Sequence, residues 1–292
     1  MKLARFSVLG SIYVGVISGE TLACLTGRIG GLSSDMIDLI ANWRELAPEV
    51  RRLSGSVDFR LSDVRLLAPV ARPGKVMGIG LNYSDHIEES GMARPEFQTW
   101  FTKAVTSIAG PFDAIELPRV SSALDYEAEL VFIVGKGGRH IPEAKANDAI
   151  FGYCAGNDVS VRDWQLRTGQ FALGKSFDTH APIGPWIVTS DAIDARNLAI
   201  RSFVNCEERQ RSNTRHLIFD CAAQVAHLSQ AMTLEPGDIA FTGTPSGVGA
   251  AMKPPKFLRV GDRVRVEIDG IGAIENEVIE ERTRFRDNTS PP

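Results

Sequence analysis

The chain has 292 residues, 43% of them hydrophobic, enough to bury one large core with or without a small companion domain. Lys and Arg total 32 against 36 Asp and Glu, and a formal charge of -4 excludes a general attraction to nucleic acid or to an anionic membrane surface. The four cysteines, Cys24, Cys154, Cys206 and Cys221, are scattered and form no C-x-x-C, which argues against a zinc knuckle or a disulfide framework and for a reducing cytoplasm.

The start, MKLARFSVLGSIYVGVISGE, is interrupted by Gly10, Ser11, Gly15, Ser18 and Gly19, so it reads as short strands and not as a signal peptide or a membrane span. Strands through Val16, a turn at Ser18-Gly19-Glu20 and an amphipathic helix around Ser34 to Trp43 make residues 1–70 a small leading domain. Pro69, Pro73 and Gly74 then break the chain ahead of an apolar strand and open a larger unit, residues 71–292. Within it, alternating runs such as AELVFIVG, GPWIVT, DIAFTG and DRVRVEIDG are separated by Gly, Pro and Asp turns. The clearest helical patterns are Val159 to Leu166 and Asp220 to Met232. The expectation is a β-dominated α+β fold with a mixed sheet and no regular βαβ winding. The tail FRDNTSPP reads as frayed.

The stretch GQFALGKS fits the phosphate-loop pattern G-x-x-x-x-G-K-[ST]. A working loop needs an apolar strand before it and a helix after it, because the helix N-terminus and the loop amides bind the phosphates. Here VRDWQLRT precedes Gly169, and Pro182, Gly184 and Pro185 follow. Nucleotide binding is therefore the weaker reading, and Lys175 is expected to enter a strand for another purpose. GIGLNY at Gly78 lacks the third glycine of a dinucleotide fingerprint.

In LDYEAELVFIVGK, Glu127 and Glu129 stand two apart, so strand periodicity puts both carboxylates on one face. An exposed strand edge would be the plain explanation of such a pair. In GYCAGNDVSVRDWQ, Asn157 and Asp158 fall at an expected helix start, with Arg162 and Gln165 at i+4 and i+7 from Asp158, on one helical face. If Asp158 approaches the Glu pair, the anions repel by roughly 4 kcal/mol per pair at 4 Å and an effective dielectric near 20, so a cation is needed. Three oxygen ligands suit Mg²⁺ or Mn²⁺, with positions left for water and substrate. In GLNYSDHIEESG, His86 and Glu89 are i and i+3, adjacent on a short helix, where Glu89 could hold the imidazole in one tautomer. In GDIAFTGTPSGVG, Gly243, Thr244, Gly247 and Gly249 allow close backbone approach and supply a hydroxyl, suited to a carboxylate or an oxyanion.

Taken in order, GLNYSDHIEE, LDYEAELVFIVGK, GYCAGNDVSVRDWQ, GKSFDTHAPIGPWIV and EPGDIAFTGTPSGVG resemble the fumarylacetoacetate hydrolase family over about residues 70–280. The leading 70 residues look like the small N-terminal domain of many bacterial members. The resemblance implies a mixed β-roll catalytic domain, a homodimer, and Mg²⁺ or Mn²⁺ held at the positions matching Glu127, Glu129 and Asp158. It makes Lys175 a substrate and transition-state contact, puts Arg162 and Gln165 in the pocket wall, and gives Thr244 a contact to the substrate carboxylate. His86 and Glu89 match a proton-transfer dyad on a lid. His180 departs from the family, many members of which carry an aromatic residue there, and is expected to tune the pocket.

The reaction these features point to is hydrolysis of a carbon–carbon bond in a small oxo-acid substrate, a 2,4-dioxo acid of the acylpyruvate or fumarylacetoacetate type, in catabolism. A 2-hydroxyhepta-2,4-diene-1,7-dioate-type isomerase and an oxaloacetate decarboxylase or tautomerase would use the same metal-enolate site and stay open. A metal-binding structural protein would leave the His-Glu pair and Lys175 idle.

Overall fold

Ala128–Val134 is buried at every position, with Val131 and Ile133 packed into one apolar cluster and Leu130, Phe132 and Val134 into another. That is the pattern of a strand covered on both faces, each large buried side chain stabilising by about 1.5–3 kcal/mol. In the computed structural model, which describes residues 1–85, residue 89 and residues 94–282, this strand lies inside the main sheet. Ile150–Asn157 and Ile239–Phe241 flank it, both antiparallel. The Glu pair therefore does not mark an exposed edge: Glu127 and Glu129 share the parity of Val131 and Ile133, and both are buried.

The sheet continues in both directions. Beyond Ile239–Phe241 come Val76–Gly80, parallel to it, and Thr99–Thr102. Beyond Ile150–Asn157 comes Ala181–Thr189, whose residues Ile187 and Val188 pair with Leu3 and Lys2. The strands Lys2–Val8, Ser11–Ser18, Thr21–Cys24 and Phe59–Arg60 thus extend the same sheet across the linker at Pro69 to Gly74. The second strand runs past Val16 to Ser18, and Gly19 makes the turn at φ +58°. A second sheet, built from Glu207–Asn213, Ala199–Val204, Arg263–Ile268, Gly272–Glu280 and Ile115–Leu117, packs on the face that carries Leu130 and Phe132.

The helices differ more from the sequence reading. The first runs only over Met36–Ala41, with the Asp35 carboxylate accepting the Ile37 N–H as its cap, and a second, Trp43–Leu53, follows with Pro48 inside it. Cys221–Ala231 forms the expected helix, capped by Asp220. The helix expected from Val159 to Leu166 is one turn, Arg162–Gln165, preceded by the strand Ser160–Val161. No described helix is long and apolar enough to cross a membrane.

Candidate active site

Glu127 and Glu129 stand at the beginning of Ala128–Val134, and Asp158 follows the end of the antiparallel neighbour Ile150–Asn157, where Ala128 pairs with Asn157. Antiparallel pairing brings those two ends together. The Asn157 side-chain oxygen accepts the Glu127 N–H and the Glu127 carbonyl accepts the Asp158 N–H, which locks the corner. Asp158 is therefore not a helix cap. One oxygen from each of Glu127, Glu129 and Asp158 lies within 4.8 Å of the others, and all three residues are buried.

Buried carboxylates of like charge need compensation. Lys175 Nζ is 2.7 Å from both Glu127 Oε2 and Asp158 Oδ2. Burial alone would lower its pKa, but the Asp158 and Glu127 charges outweigh that and hold the ammonium above the usual lysine value. Arg162 gives Nη1 to Glu127 Oε1 at 2.6 Å and to Gln165 Oε1 at 2.9 Å, and burial of its guanidinium is likewise outweighed by Asp125 and Glu127. Glu129 is different. It accepts the Gly243 N–H at 2.6 Å, and among the described residues no ion pair reaches it. Burial, then the Asp158 and Glu127 charges, push its carboxyl well above the usual glutamate range.

This donor set fits a hard divalent cation: three carboxylates on two rigid strand ends, one of them without a protein cation. A divalent ion there would compensate the carboxylate that Lys175 does not pair.

A cavity of about 380 Å³ opens over this cluster. Glu127, Arg162, Gln165, Lys175, Thr244 and Glu89 supply its polar lining. Ile79, Leu81, Phe101, Leu166, Phe171 and Val248 supply apolar walls. The Thr244 hydroxyl donates to the Ala128 carbonyl at 3.0 Å and accepts from Gln210 Nε2 at 2.8 Å, so its proton is already used by the backbone. Glu89 accepts the Gly247 N–H at 3.0 and 3.1 Å, from a glycine at φ +98° whose added Cβ would meet the Arg209 carbonyl at 2.0 Å. His86 lies outside the described residues.

Lys175 sits in a turn, six residues before Ala181–Thr189, and does not enter a strand; no strand leads into Gly169 and no helix follows Ser176. The phosphate loop lacks both flanks it needs. His180 is fully buried with Nε2 2.8 Å from the Glu116 carbonyl, and it is not among the residues lining the cavity.

Two buried charges escaped the sequence reading. Lys103 Nζ is 2.5 Å from Asp158 Oδ1 and 3.3 Å from the Val159 carbonyl, with its pKa lowered by burial against the opposing pull of Asp158. Nothing in FTKAVT signals that partner, 55 residues away. Asp125 accepts Arg162 Nε at 2.9 Å. It extends the two-residue period of Glu127 and Glu129, which is the signal that could have found it.

Two family models match the chain, one described as Fumarylacetoacetate (FAA) hydrolase C-terminal over residues 75–279, the other as Rv2993c-like, N-terminal over residues 1–69. The chain is 48% identical over 221 residues to the mitochondrial oxaloacetate tautomerase of Xenopus laevis, an overlap of 75% of this chain and 69% of that protein. It is similar to the structure of maleylpyruvate hydrolase from Sphingobium sp. SYK-6 in complex with manganese(II) ion and pyruvate, with 33% identity, a TM-score of 0.83, and 97% and 100% of the two chains covered. The 2-hydroxyhepta-2,4-diene-1,7-dioate isomerase of Mycobacterium marinum shares 32% identity at a TM-score of 0.77, again over 97% and 100%.

Proposed function

We propose, for a chain that belongs to the fumarylacetoacetate hydrolase family, that it hydrolyses a carbon–carbon bond in a 2,4-dioxo acid of the acylpyruvate type. The observation that carries this reading is the cavity: about 380 Å³, with buried cations at its base and apolar walls above them. A four-carbon diacid such as oxaloacetate has nothing to place against Ile79, Leu81, Phe101 and Phe171, whereas the acyl group of an acylpyruvate does.

Glu127, Glu129 and Asp158 would hold Mg²⁺ or Mn²⁺, which supplies Lewis-acid polarisation of a 2-oxo-acid end when bound. The chain's own residues have the remaining work. Arg162, whose Nη2 is buried and without a partner among the described residues, offers a donor to a substrate oxygen at the rim of the carboxylate cluster, beside Gln165. Lys175 carries a charge the carboxylates keep protonated, suited to an oxyanion developing on the distal carbonyl. His86, oriented by Glu89, takes a proton from water as the water oxygen bonds to the distal carbonyl carbon. The bond between that carbon and its methylene neighbour then breaks, and its electron pair passes to the methylene carbon as the enolate of a 2-oxo acid. Protonation of that carbon by His86 returns the base and completes a carboxylic acid and a 2-oxo acid.

A second reading, tautomerisation of oxaloacetate, is favoured by the 48% identity with the Xenopus laevis tautomerase. The deciding experiment is a screen of acylpyruvates, oxaloacetate and hydroxymuconate-type dioates with Mg²⁺ and with Mn²⁺, following loss of enol absorbance and identifying products. Cleavage of acylpyruvates to two acids is expected; enol–keto exchange of oxaloacetate without any acylpyruvate cleavage would replace the hydrolase reading with the second.

A further inference from the structure

Asp125 is wholly buried and does not line the cavity, yet it touches two of its walls. Its Oδ1 accepts the N–H groups of Tyr126 at 2.9 Å and Gly249 at 2.8 Å. Its Oδ2 accepts the Ala250 N–H and Arg162 Nε, both at 2.9 Å. The short ladder that pairs Asp125 with Ser160 sets the carboxylate beside the segment leading into Arg162. On the other side, the backbone at Gly249 approaches so closely that an added Cβ would stand 2.7 Å from Asp125 Oδ1 and 2.1 Å from the Lys256 carbonyl. Val248, Ala250 and Ala251, around that contact, form one wall of the cavity, and Arg162 forms another.

The guanidinium is thereby held from two sides. Nε is on Asp125 and Nη1 is on Glu127 and Gln165, which fixes the plane and leaves Nη2 as the nitrogen without a partner among the described residues. We infer that Asp125 is a positioning residue: it aims Arg162 at the acid end of the substrate and fixes the 248–251 wall, so that the donor and the wall move as one. The inference rests on the reading of Arg162 as a substrate contact.

An asparagine at this position cannot reproduce the arrangement. Both Asp125 oxygens receive N–H donors, so the amide nitrogen of Asp125→Asn meets donors whichever way it turns. The test is a double-mutant cycle of Asp125→Asn and Arg162→Gln. It reads oxalate binding in the presence of Mn²⁺ by calorimetry, and Mn²⁺ binding alone by electron paramagnetic resonance. Loss of a charge-assisted contact predicts that Asp125→Asn weakens oxalate about 10- to 100-fold. Because Asp125 acts on the acid end through Arg162, the double variant should lose clearly less than the sum of the two single losses. Losses that add in full would overturn the inference. A protein that binds Mn²⁺ but not oxalate would instead sink the substrate reading, and the same cycle read on Mn²⁺ affinity, through the Arg162 to Glu127 contact, would still decide the coupling. If Asp125→Asn does not fold, Arg162→Lys takes its place. It keeps the charge but loses Nε–H, and unchanged oxalate affinity in that variant would overturn the inference.

Discussion

Lys103 Nζ and Asp158 Oδ1 form an ion pair 2.5 Å long with both side chains fully buried, while the other oxygen of Asp158 takes Lys175 at 2.7 Å. One carboxylate is thus gripped by two lysines from segments far apart in sequence, and only one of those lysines lines the cavity. The second serves to hold Asp158 in place.

Removing that second lysine leaves a buried carboxylate short of a partner, a change that costs about 3–5 kcal/mol where such pairs are broken. Lys103→Met should therefore lower the urea midpoint markedly, and Asp158→Asn should recover part of the loss in the Lys103→Met background. Equal midpoints for wild type and Lys103→Met would mean that water or a neighbouring donor replaces the ammonium.

Glu129 is expected to behave oppositely. It is buried beside two other carboxylates, and its carboxyl is raised well above the usual range by burial and by Asp158 and Glu127. Glu129→Gln removes a repelled charge, so the metal-free protein should lose no stability while its Mn²⁺ affinity falls at least tenfold. Chelator should abolish turnover and added Mg²⁺ or Mn²⁺ should restore it. Full turnover of chelated, metal-free protein, checked by elemental analysis, would end the metal assignment.

The cluster was legible where one physical period governs it. Strand alternation relates Glu127 to Glu129 and, had it been followed one step back, to Asp125. Asp158 joins the Glu pair as expected, but not from a helix start: it follows the last paired residue of an antiparallel ladder, and lysines rather than helix amides take its carboxylate. Lys103 was not legible, since a lone lysine ordinarily reads as solvated and its burial depends on the pairing of Val76–Gly80 with Thr99–Thr102. The sheet that runs from the first 70 residues into the rest was hidden for a similar reason, because the contact of Lys2 and Leu3 with Val188 and Ile187 spans nearly two hundred positions.

The phosphate-loop sequence gives a direct contrast of ligands. Lys175 gives two of its three N–H donors to Glu127 and Asp158, and the carboxylates of Glu127, Glu129 and Asp158 cluster beside it, an environment that repels a nucleotide phosphate. ATP and GTP with Mg²⁺ should show no specific site by calorimetry, whereas oxalate should bind only when the metal is present. Micromolar ATP binding that disappears in Lys175→Met would restore the nucleotide reading.

His180 should shape the acid limb of stability. Burial depresses its imidazole from 6.5 to about 3, and with Nε2 donating to the Glu116 carbonyl, the buried Nδ1 has no partner for a second proton. The folded ring stays neutral where the unfolded one is protonated. The unfolded state therefore binds more protons between pH 6.5 and about 3, and as pH drops through that window this group lowers stability by up to about 1.4 kcal/mol per unit. In His180→Phe that contribution disappears, so the gap between variant and wild type should shift in favour of the variant as pH drops from 7 to 5. Parallel unfolding curves over that range would show that the ring protonates in the folded protein.

His86 separates the chemistries that share this cluster, because they demand different proton work. Hydrolysis needs a base to make water nucleophilic, and losing a general base typically costs ~10²–10⁴-fold in rate. Decarboxylation of oxaloacetate breaks the bond between the methylene carbon and its own carboxyl, releasing that distal carboxyl as CO₂ and leaving the enolate of a 2-oxo acid, and it requires no activated water. His86→Ala should therefore abolish acylpyruvate cleavage and spare much of any oxaloacetate decarboxylation. Glu89→Ala should act in the same direction but less strongly, since the carboxylate orients the ring without taking the proton. Glu89 is held by the Gly247 N–H and not by the carboxylate cluster, so a defect confined to kcat is expected, with oxalate affinity within about threefold of wild type. The assay compares kcat/KM of wild type and both variants on the two substrates at verified metal content. Undiminished acylpyruvate cleavage by His86→Ala would remove the assigned base. Equal losses on both substrates would mean that His86 serves the enolate, which all the candidate reactions share, and not the water that hydrolysis alone requires.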